Sequence, residues 1–235
     1  CRVGGWLASS TEDAMEAESR PAVAPEDTRG WRGEMGPLAF FLGAALLLTW
    51  PIAITLDQAT GLRGDYFLNL WNVWWMRHAL AGLHSPWTTD YLFYPEGLAL
   101  QRHILTPVNS LVGAALRTGL GAHATFNVIL LLTLALSGWT FSLFARYLTK
   151  SRAGALLGGL LYAFNPFHFY YLCQTNIFTF EFVPLALFFF VKSYREGGVR
   201  NLVGVALTCA ALAESTLHFV VYTYLVVALA IEGLV

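Results

Sequence analysis

The sequence predicts an all-α protein, a polytopic transmembrane helical bundle with a long extracytoplasmic first loop that contains interfacial helices. Of the 235 residues, 56% are hydrophobic and only 12% are charged, and the mean hydropathy is +0.54. Soluble domains carry about 25% charged residues. The apolar residues also gather in runs, the longest near the ~20 residues that a helix needs to cross a bilayer.

These runs set the predicted domain organisation. Residues 1–34 are rich in Ala, Glu, Ser, Pro and Arg without apolar periodicity, so we expect a disordered N-terminal tail. We expect residues 35–235 to form a membrane domain that continues past Val235, because the chain stops inside an apolar run. The predicted spans are 37–56, kinked near Pro51, then 125–144, 153–170, 178–191, 202–213 and 216–231.

Three basic clusters set the predicted orientation, because Lys and Arg in short loops are retained on the cytoplasmic side. The clusters are Arg29 and Arg32; Arg146, Lys150 and Arg152; and Lys192, Arg195 and Arg200. All three share that side only if two spans separate the first two clusters. We therefore predict that 104–119, which contains Pro107, Asn109 and Arg117, lies along the interface. The result is a multi-pass protein of the cytoplasmic membrane with a cytoplasmic N-terminus and an extracytoplasmic loop at 57–124; by the same count, Gln174 faces outward.

Several function classes find no support in the sequence. A net charge of −1 without a basic stripe argues against nucleic acid as a partner. No P-loop, GxSxG or HExxH motif is present, and the three cysteines have no CxxC spacing. Because the six histidines are scattered, we predict no metal site built on them. Any site is expected at the membrane interface.

Asp65 is the main candidate for chemistry. It opens a helix predicted from Gly64 to His84, on which Asn69 and Asn72 share its face. A carboxylate at the lip of a span costs free energy unless water, a cation or a partner compensates it. The functional interpretation is a general base for an acceptor hydroxyl, or a ligand of a divalent cation. The alternative is an N-cap aspartate that needs no catalysis.

Further polar residues follow in the first loop and at the end of the span 153–170. Two carboxylates and an arginine, Asp90, Glu96 and Arg102, together with His103, would bind a phosphate and steer an acceptor. Solvated loop charges are the commoner explanation. His168 would assist proton transfer or pair with a phosphate, and the alternative is an interfacial residue beside tyrosines.

The layout resembles the GT-C-fold glycosyltransferases, polytopic enzymes that move a sugar from a polyprenyl-phosphate carrier. The resemblance covers residues 37–235 and rests on one initial span, an outward loop that opens with Gly64 and Asp65, and a run of short spans. It also rests on the wording typical of uncharacterised bacterial members: GDYFLNLWNVWWMRHAL, the Pro95-Glu96-Gly97 turn, AFNPFHF and NIFTFEFVPLAL.

The resemblance implies a lipid-linked sugar donor that enters from the bilayer and an acceptor of unknown identity that arrives from outside. Asp65 matches the acidic residue that begins the family's first loop, which implies a catalytic base or metal-associated carboxylate, with a divalent cation as the possible cofactor. Substrate-binding positions are then expected at Arg63, Asn69, Arg77, Asp90, Glu96, Arg102, His103 and His168, with membrane lipid as a further partner.

Two other functions stay open at this point. A transporter or flippase for a lipid-linked or small substrate would also use short spans interrupted by Gly and Pro. A non-catalytic membrane scaffold would use the tryptophans only as anchors and the loop to bind a partner.

Overall fold

The chain is mostly helical in the computed structural model, which describes residues 30–60, 65–103, 105–174 and 180–215. The helices are α1 (Gly30–Leu48), α2 (Tyr66–Ala81), α3 (Pro107–Leu116), α4 (Ala122–Thr149), α5 (Arg152–Ala163), α6 (Pro166–Tyr170), α7 (Phe182–Glu196) and α8 (Val199–Ser215). Strands β1 (Thr88–Thr89) and β2 (Leu98–Ala99) pair antiparallel, and 3₁₀ turns cover Ile52–Ile54 and Leu100–Arg102. The predicted helical class is confirmed. Residues 1–29 of the predicted tail and the predicted span 216–231 lie outside the described residues.

Helix α4 is the longest element, and it contacts most of the others. Its 28 residues correspond to a length of about 42 Å at the α-helical rise. Helix α5 packs along it, α7 packs against α4, and α8 packs on α7. Helices α2 and α3 pack against each other and against α4. The chain reverses from α4 into α5 at Lys150, which has a positive φ of 58°, and at Ser151, whose hydroxyl caps α5 by accepting from the Gly154 amide at 3.1 Å.

Small residues allow α1, α4 and α5 to approach closely. The ring of Phe41 is fully buried and lies where a Cβ would stand on Gly138 of α4 or on Gly159 of α5. A Cβ on Gly159 would also come within 2.5 Å of the Gly138 carbonyl oxygen. Around Phe41 the core continues through Phe126, Leu130 and other buried side chains. The two glycines therefore let the aromatic side chain of α1 fill the α4–α5 crossing.

Two predicted spans have different boundaries in the structure. Helix α1 begins at Gly30, inside the predicted tail, and ends at Leu48 rather than at residue 56. The chain then turns around Pro51, so the proline ends the helix instead of kinking it. The predicted span 153–170 is divided into α5 and α6, because Pro166 cannot continue a helix and the Asn165 side chain caps the new one by accepting from the His168 amide.

Among the described residues, one helix is long and apolar enough to cross a membrane, the α4 segment Ala122–Thr149 with a hydropathy of 2.0. The buried core helix of a soluble protein can have the same length and composition. Met35–Leu48, Pro107–Leu116 and Val199–Ala213 are apolar but shorter. The segment 104–119, predicted to be too short for a span, contains only the 10 residues of α3.

Candidate functional site

Asp65 lies at the N-cap position of α2, but its side chain does not cap the helix. Instead, its carboxylate accepts a hydrogen bond of 3.1 Å from the Nε2 atom of Gln174, and Asp65 is only partly buried. The N-cap interpretation thus fits the position of the residue and not its hydrogen bonding. The carboxylate is held in place by a partner 109 residues away in sequence while part of the residue stays accessible.

Asn69 fixes the two segments that carry this pair. Its Nδ2 atom donates to the Asp65 carbonyl at 2.8 Å and to the Cys173 carbonyl at 3.0 Å. The side chain is nearly inaccessible to solvent. Asn69, predicted to bind substrate, therefore acts on the site by positioning Asp65 and Gln174. The buried Oε1 atom of Gln174 has no partner among the described residues. This oxygen can therefore accept a hydrogen bond from a ligand close to the carboxylate.

Tyr66 and His123 connect the start of α2 to the start of α4. The Tyr66 hydroxyl and His123 Nδ1 lie 2.5 Å apart, and the two rings are stacked with an interplanar angle of 11°. Burial raises the pKa of the Tyr66 phenol, and the neighbouring Cys173 raises it further. The phenol therefore stays neutral at physiological pH, and its O–H is available to the imidazole. This contact places the Asp65 end of α2 at the N-terminal end of α4.

His103, predicted to bind substrate, lies further along α2. Its Nε2 atom is 3.1 Å from Oδ1 of Asn72, and its ring meets the ring of Trp71 edge to face. Burial lowers the pKa of the His103 imidazole, so the neutral ring donates to the amide oxygen. Asn72 is seven residues beyond Asp65, about 10 Å along the helix axis. His103 is therefore a packing partner of α2, separate from Asp65.

A small apolar pocket with one cation opens beside α2. It has a volume of about 240 Å³ and is lined by Leu70, Trp71, Val73, Trp74, Arg117, Ala122, Thr125 and Phe126. Arg117 donates to the Leu120 carbonyl at 3.2 Å, and no carboxylate in the described part of the chain forms an ion pair with it. The hydroxyl of Thr125 is buried and has no partner there either. Such a pocket can take a small anionic group attached to an apolar chain.

Asp90 and Glu96 line a separate and larger cleft of about 770 Å³ at the other end of α2. His78, which also lines this cleft, is 13 residues beyond Asp65, about 20 Å along the helix axis. The structure thus brings the two loop carboxylates together, as the sequence suggested, but not next to Asp65. It shows no cation beside them in the part of the chain it describes.

Of the remaining predicted positions, the structure describes the side chains of Arg77 and His168. Arg77 is exposed on α2. His168 is buried in α6, where its Nδ1 atom lies 2.5 Å from the Ala163 carbonyl oxygen. Arg63 and the side chain of Arg102 lie outside the described residues. Nowhere in residues 30–60, 65–103, 105–174 and 180–215 do three or more His, Cys, Asp or Glu side chains form a group that could hold a metal ion.

Charge is distributed unevenly between the two ends of α4. Near its C-terminus, the ring of Tyr147 lies 5.0 Å from Lys150 Nζ and 5.8 Å from Arg195 Cζ. The Tyr147 hydroxyl donates to Glu196 at 2.8 Å. The second and third basic clusters of the sequence therefore meet at this end. Asp65 lies at the opposite end, next to Tyr66 and His123.

Sequence reasoning missed part of this site. Arg117 was noticeable only as a cation inside an apolar stretch, and Gln174 only as a polar residue in an outward turn. Comparisons with protein-family models, with curated proteins and with solved structures find no match. The resemblance to GT-C-fold enzymes therefore stays a hypothesis.

Proposed function

We propose that the chain is a polytopic membrane glycosyltransferase of the GT-C type, which transfers a sugar from a polyprenyl-phosphate-linked donor to an acceptor on the extracytoplasmic side. The observation that carries the proposal is the Asp65 carboxylate. It is oriented by Gln174, partly accessible, and located at the end of α4 opposite the two basic clusters. A carboxylate in that position suits a general base at the membrane surface.

The orientation of the helices in the membrane follows from the same distribution of basic residues. Helix α4 crosses the bilayer with its basic C-terminal end in the cytoplasm, as the retention of Lys and Arg predicts. Helix α1 then runs outward from a cytoplasmic N-terminus, and the short apolar helices α1 and α8 cross where the bilayer thins locally around them. Residues 57–124 form the extracytoplasmic loop, and α3 lies along the interface.

The pocket at Arg117 provides a place for the lipid-linked donor. The guanidinium of Arg117 pairs with the carrier phosphate, and the apolar wall formed by Leu70 and Trp74 faces the lipid. Leu111 and Val112 of α3 are exposed close by in sequence and offer further apolar surface to the polyprenyl chain. Leu70 is five residues beyond Asp65, about 8 Å along the helix axis, and the proposal requires the phosphate at Arg117 and the base to share one reaction centre.

In the reaction, Asp65 accepts the proton of the acceptor hydroxyl while the hydroxyl oxygen attacks the anomeric carbon of the donor sugar. The bond between that carbon and the phosphate oxygen breaks, and the electron pair leaves with the polyprenyl phosphate. Arg117 stabilises the additional negative charge on the phosphate. The amide of Gln174 keeps the carboxylate pointed at the acceptor. The proton then passes from Asp65 to water.

Reconstitution tests this proposal. The full chain in proteoliposomes is supplied with polyprenyl-phosphate-linked hexoses and pentoses and with membrane-impermeant acceptors. We expect transfer on the face where a cysteine at the exposed position Glu96 is labelled, and no labelling there of a cysteine at the exposed position Lys150, in a chain with Cys1, Cys173 and Cys209 replaced by alanine. Labelling of both cysteines from one face, or an absence of transfer from every donor, would contradict it.

A transporter for a lipid-linked or small substrate is the second candidate, and one observation favours it. Glu181 is only 6% exposed and its Oε2 atom has no partner among the described residues. Ionisable groups buried within a membrane bundle mark substrate and proton pathways. Movement of a lipid-linked sugar across the bilayer, lost in Glu181→Gln and kept in Asp65→Asn, would support the transporter over the transferase.

A further inference from the structure

The cleft at the C-terminal end of α2 is a preformed concave site. Strands β1 and β2 fold back over the helix and leave a volume of about 770 Å³, which is in the range of small-molecule sites. Leu100 donates to the Trp87 carbonyl at 2.7 Å, and the indole N–H of Trp75 donates to the Pro86 carbonyl at 3.0 Å. The first bond closes the base of the hairpin, and the second fixes the hairpin to α2, against which Leu98 and Leu100 also pack.

Gly97 is required for the turn that closes this hairpin. Its φ is +73°, and a Cβ there would come within 2.8 Å of the Thr89 carbonyl oxygen. On the opposite strand, the Thr89 hydroxyl accepts from the Tyr91 amide at 3.1 Å. The Thr89 bond fixes the backbone before Tyr91, and the Gly97 amide, which donates to the Phe93 carbonyl at 3.0 Å, fixes the turn after it. Little entropy is therefore lost when a ligand binds.

Tyr91 presents a rigid, exposed aromatic face to the cleft. The residue is 57% exposed, although its ring packs at 5.4 Å from Trp74 and 5.3 Å from His78. Its hydroxyl lies 3.2 Å from His78 Nε2. An exposed ring held in one orientation by such neighbours provides a flat surface on which the apolar C–H face of a sugar ring can lie.

The polar groups of the cleft match hydroxyls better than they match ions. Asp90 and Glu96 provide acceptors, while Ser85, Thr88 and His84 provide both donors and acceptors. The Lys and Arg side chains that the structure describes do not line the cleft, whereas the carboxylates of Asp90 and Glu96 do, and these repel a phosphate. A purely cationic ligand would leave the donors unused. A neutral ligand with many hydroxyls uses both kinds of group.

We propose that this cleft binds an uncharged oligosaccharide segment of the acceptor. The role as acceptor site rests on the proposed glycosyl transfer, whereas the binding itself does not. Because His78 lies about 20 Å along α2 from Asp65, an acceptor that occupies both sites is several sugar rings long. Longer acceptors therefore bind and react better than monosaccharides, which reach only one of the two sites.

Isothermal titration of the full chain in nanodiscs tests the proposal. The probes are linear hexasaccharides of glucose, mannose and galactose, with the monosaccharides, choline and inorganic phosphate as comparisons. At least one hexasaccharide is expected to bind, at least about tenfold more tightly than its monosaccharide. Tyr91→Ala and Glu96→Gln each weaken that binding by about tenfold, while Tyr91→Phe, which keeps the ring, weakens it much less.

The matched control is Tyr194→Ala, which removes an exposed tyrosine from α7 and leaves hexasaccharide binding unchanged. Binding of choline or phosphate instead of any saccharide, or equal loss in Tyr194→Ala and Tyr91→Ala, would overturn the proposal. Asp65→Asn separates the two claims, since it abolishes transfer and keeps saccharide binding. Saccharide binding without any transfer would refute the proposed function alone, whereas transfer without saccharide binding would refute this inference alone.

Discussion

The side-chain amide of Gln174 donates a hydrogen bond to the carboxylate of Asp65, and this contact joins the start of α2 to the segment that follows α6. Asn69 joins the same two segments by donating to the carbonyls of Asp65 and Cys173. The candidate base is therefore positioned by side chains from two distant segments, and the stability of that arrangement can be measured.

Asn69→Ala is expected to lower the free energy of unfolding by about 1–3 kcal/mol, because it removes the two hydrogen bonds that this inaccessible amide donates to the carbonyls of Asp65 and Cys173. Thermal unfolding in nanodiscs measures the change. Asn201→Ala is the control, since the Asn201 amide makes one exposed hydrogen bond, to the Gly197 carbonyl. An Asn69→Ala variant as stable as Asn201→Ala would show that the hydrogen bonds from Asn69 to Asp65 and Cys173 do not stabilise the fold.

Gly159→Ala is expected to destabilise the protein by about 1–3 kcal/mol, because the new methyl group meets the ring of Phe41 and the Gly138 carbonyl oxygen. Gly43→Ala in α1 is the matched control. A Cβ at Gly43 has open space, and alanine there raises stability by up to about 1 kcal/mol through helix propensity. Equal melting temperatures for the two variants would contradict the close crossing of α1, α4 and α5.

The pH dependence of stability reports on His103. Burial holds its pKa below the ordinary value of 6.5, so the unfolded chain binds a proton that the folded chain does not. The contribution of neutral His103 to the free energy of unfolding is therefore fully present above pH 6.5. It is lost as the pH falls through 6.5 towards the pKa of the folded state. His103→Gln flattens the stability profile between pH 7 and pH 5, whereas His84→Gln, at an exposed position, keeps the wild-type slope. An unchanged slope in His103→Gln would refute the assignment.

Arg117→Met tests the donor pocket. We expect the KM for the polyprenyl-phosphate-linked donor to rise about tenfold with a smaller change in kcat, because the guanidinium binds the phosphate before and during the reaction. Initial rates at varied donor concentration measure both constants. Arg200→Met, at the basic end of the bundle, leaves them unchanged. A wild-type KM for the donor in Arg117→Met would show that the donor phosphate does not bind in this pocket.

The sequence predicted some elements well because their causes are local. Apolar content predicted the helical class, whereas the interfacial position of 104–119 stays a prediction. The break at Asn165 and Pro166 was also locally encoded, but the apolar run around it favoured one continuous span. Contacts such as Asp65 with Gln174 depend on how segments 109 residues apart fold together, and no local pattern encodes that pairing.

In the candidate site, too, the sequence indicated single residues but not the contacts between distant segments. Asp65 could be selected because a carboxylate beside an apolar run is costly. Asn69 was selected for its position on the same face, and the structure shows that its amide donates to the backbone carbonyls of Asp65 and Cys173. Asp90 and Glu96 line one cleft without His103, with which they were grouped. Their distance from Asp65 follows from the length of α2, which the chain covers before it turns back at β1.

The central claim is that Asp65 is the base for glycosyl transfer, and single-turnover transfer by Asp65→Asn in proteoliposomes tests it most directly. Asp57→Asn is the control, because Asp57 is an exposed carboxylate in the segment that follows α1. We predict that Asp65→Asn lowers the transfer rate by about 100-fold or more, with an unchanged melting temperature, and that Asp57→Asn transfers at the wild-type rate. Transfer by Asp65→Asn at the wild-type rate would contradict the account.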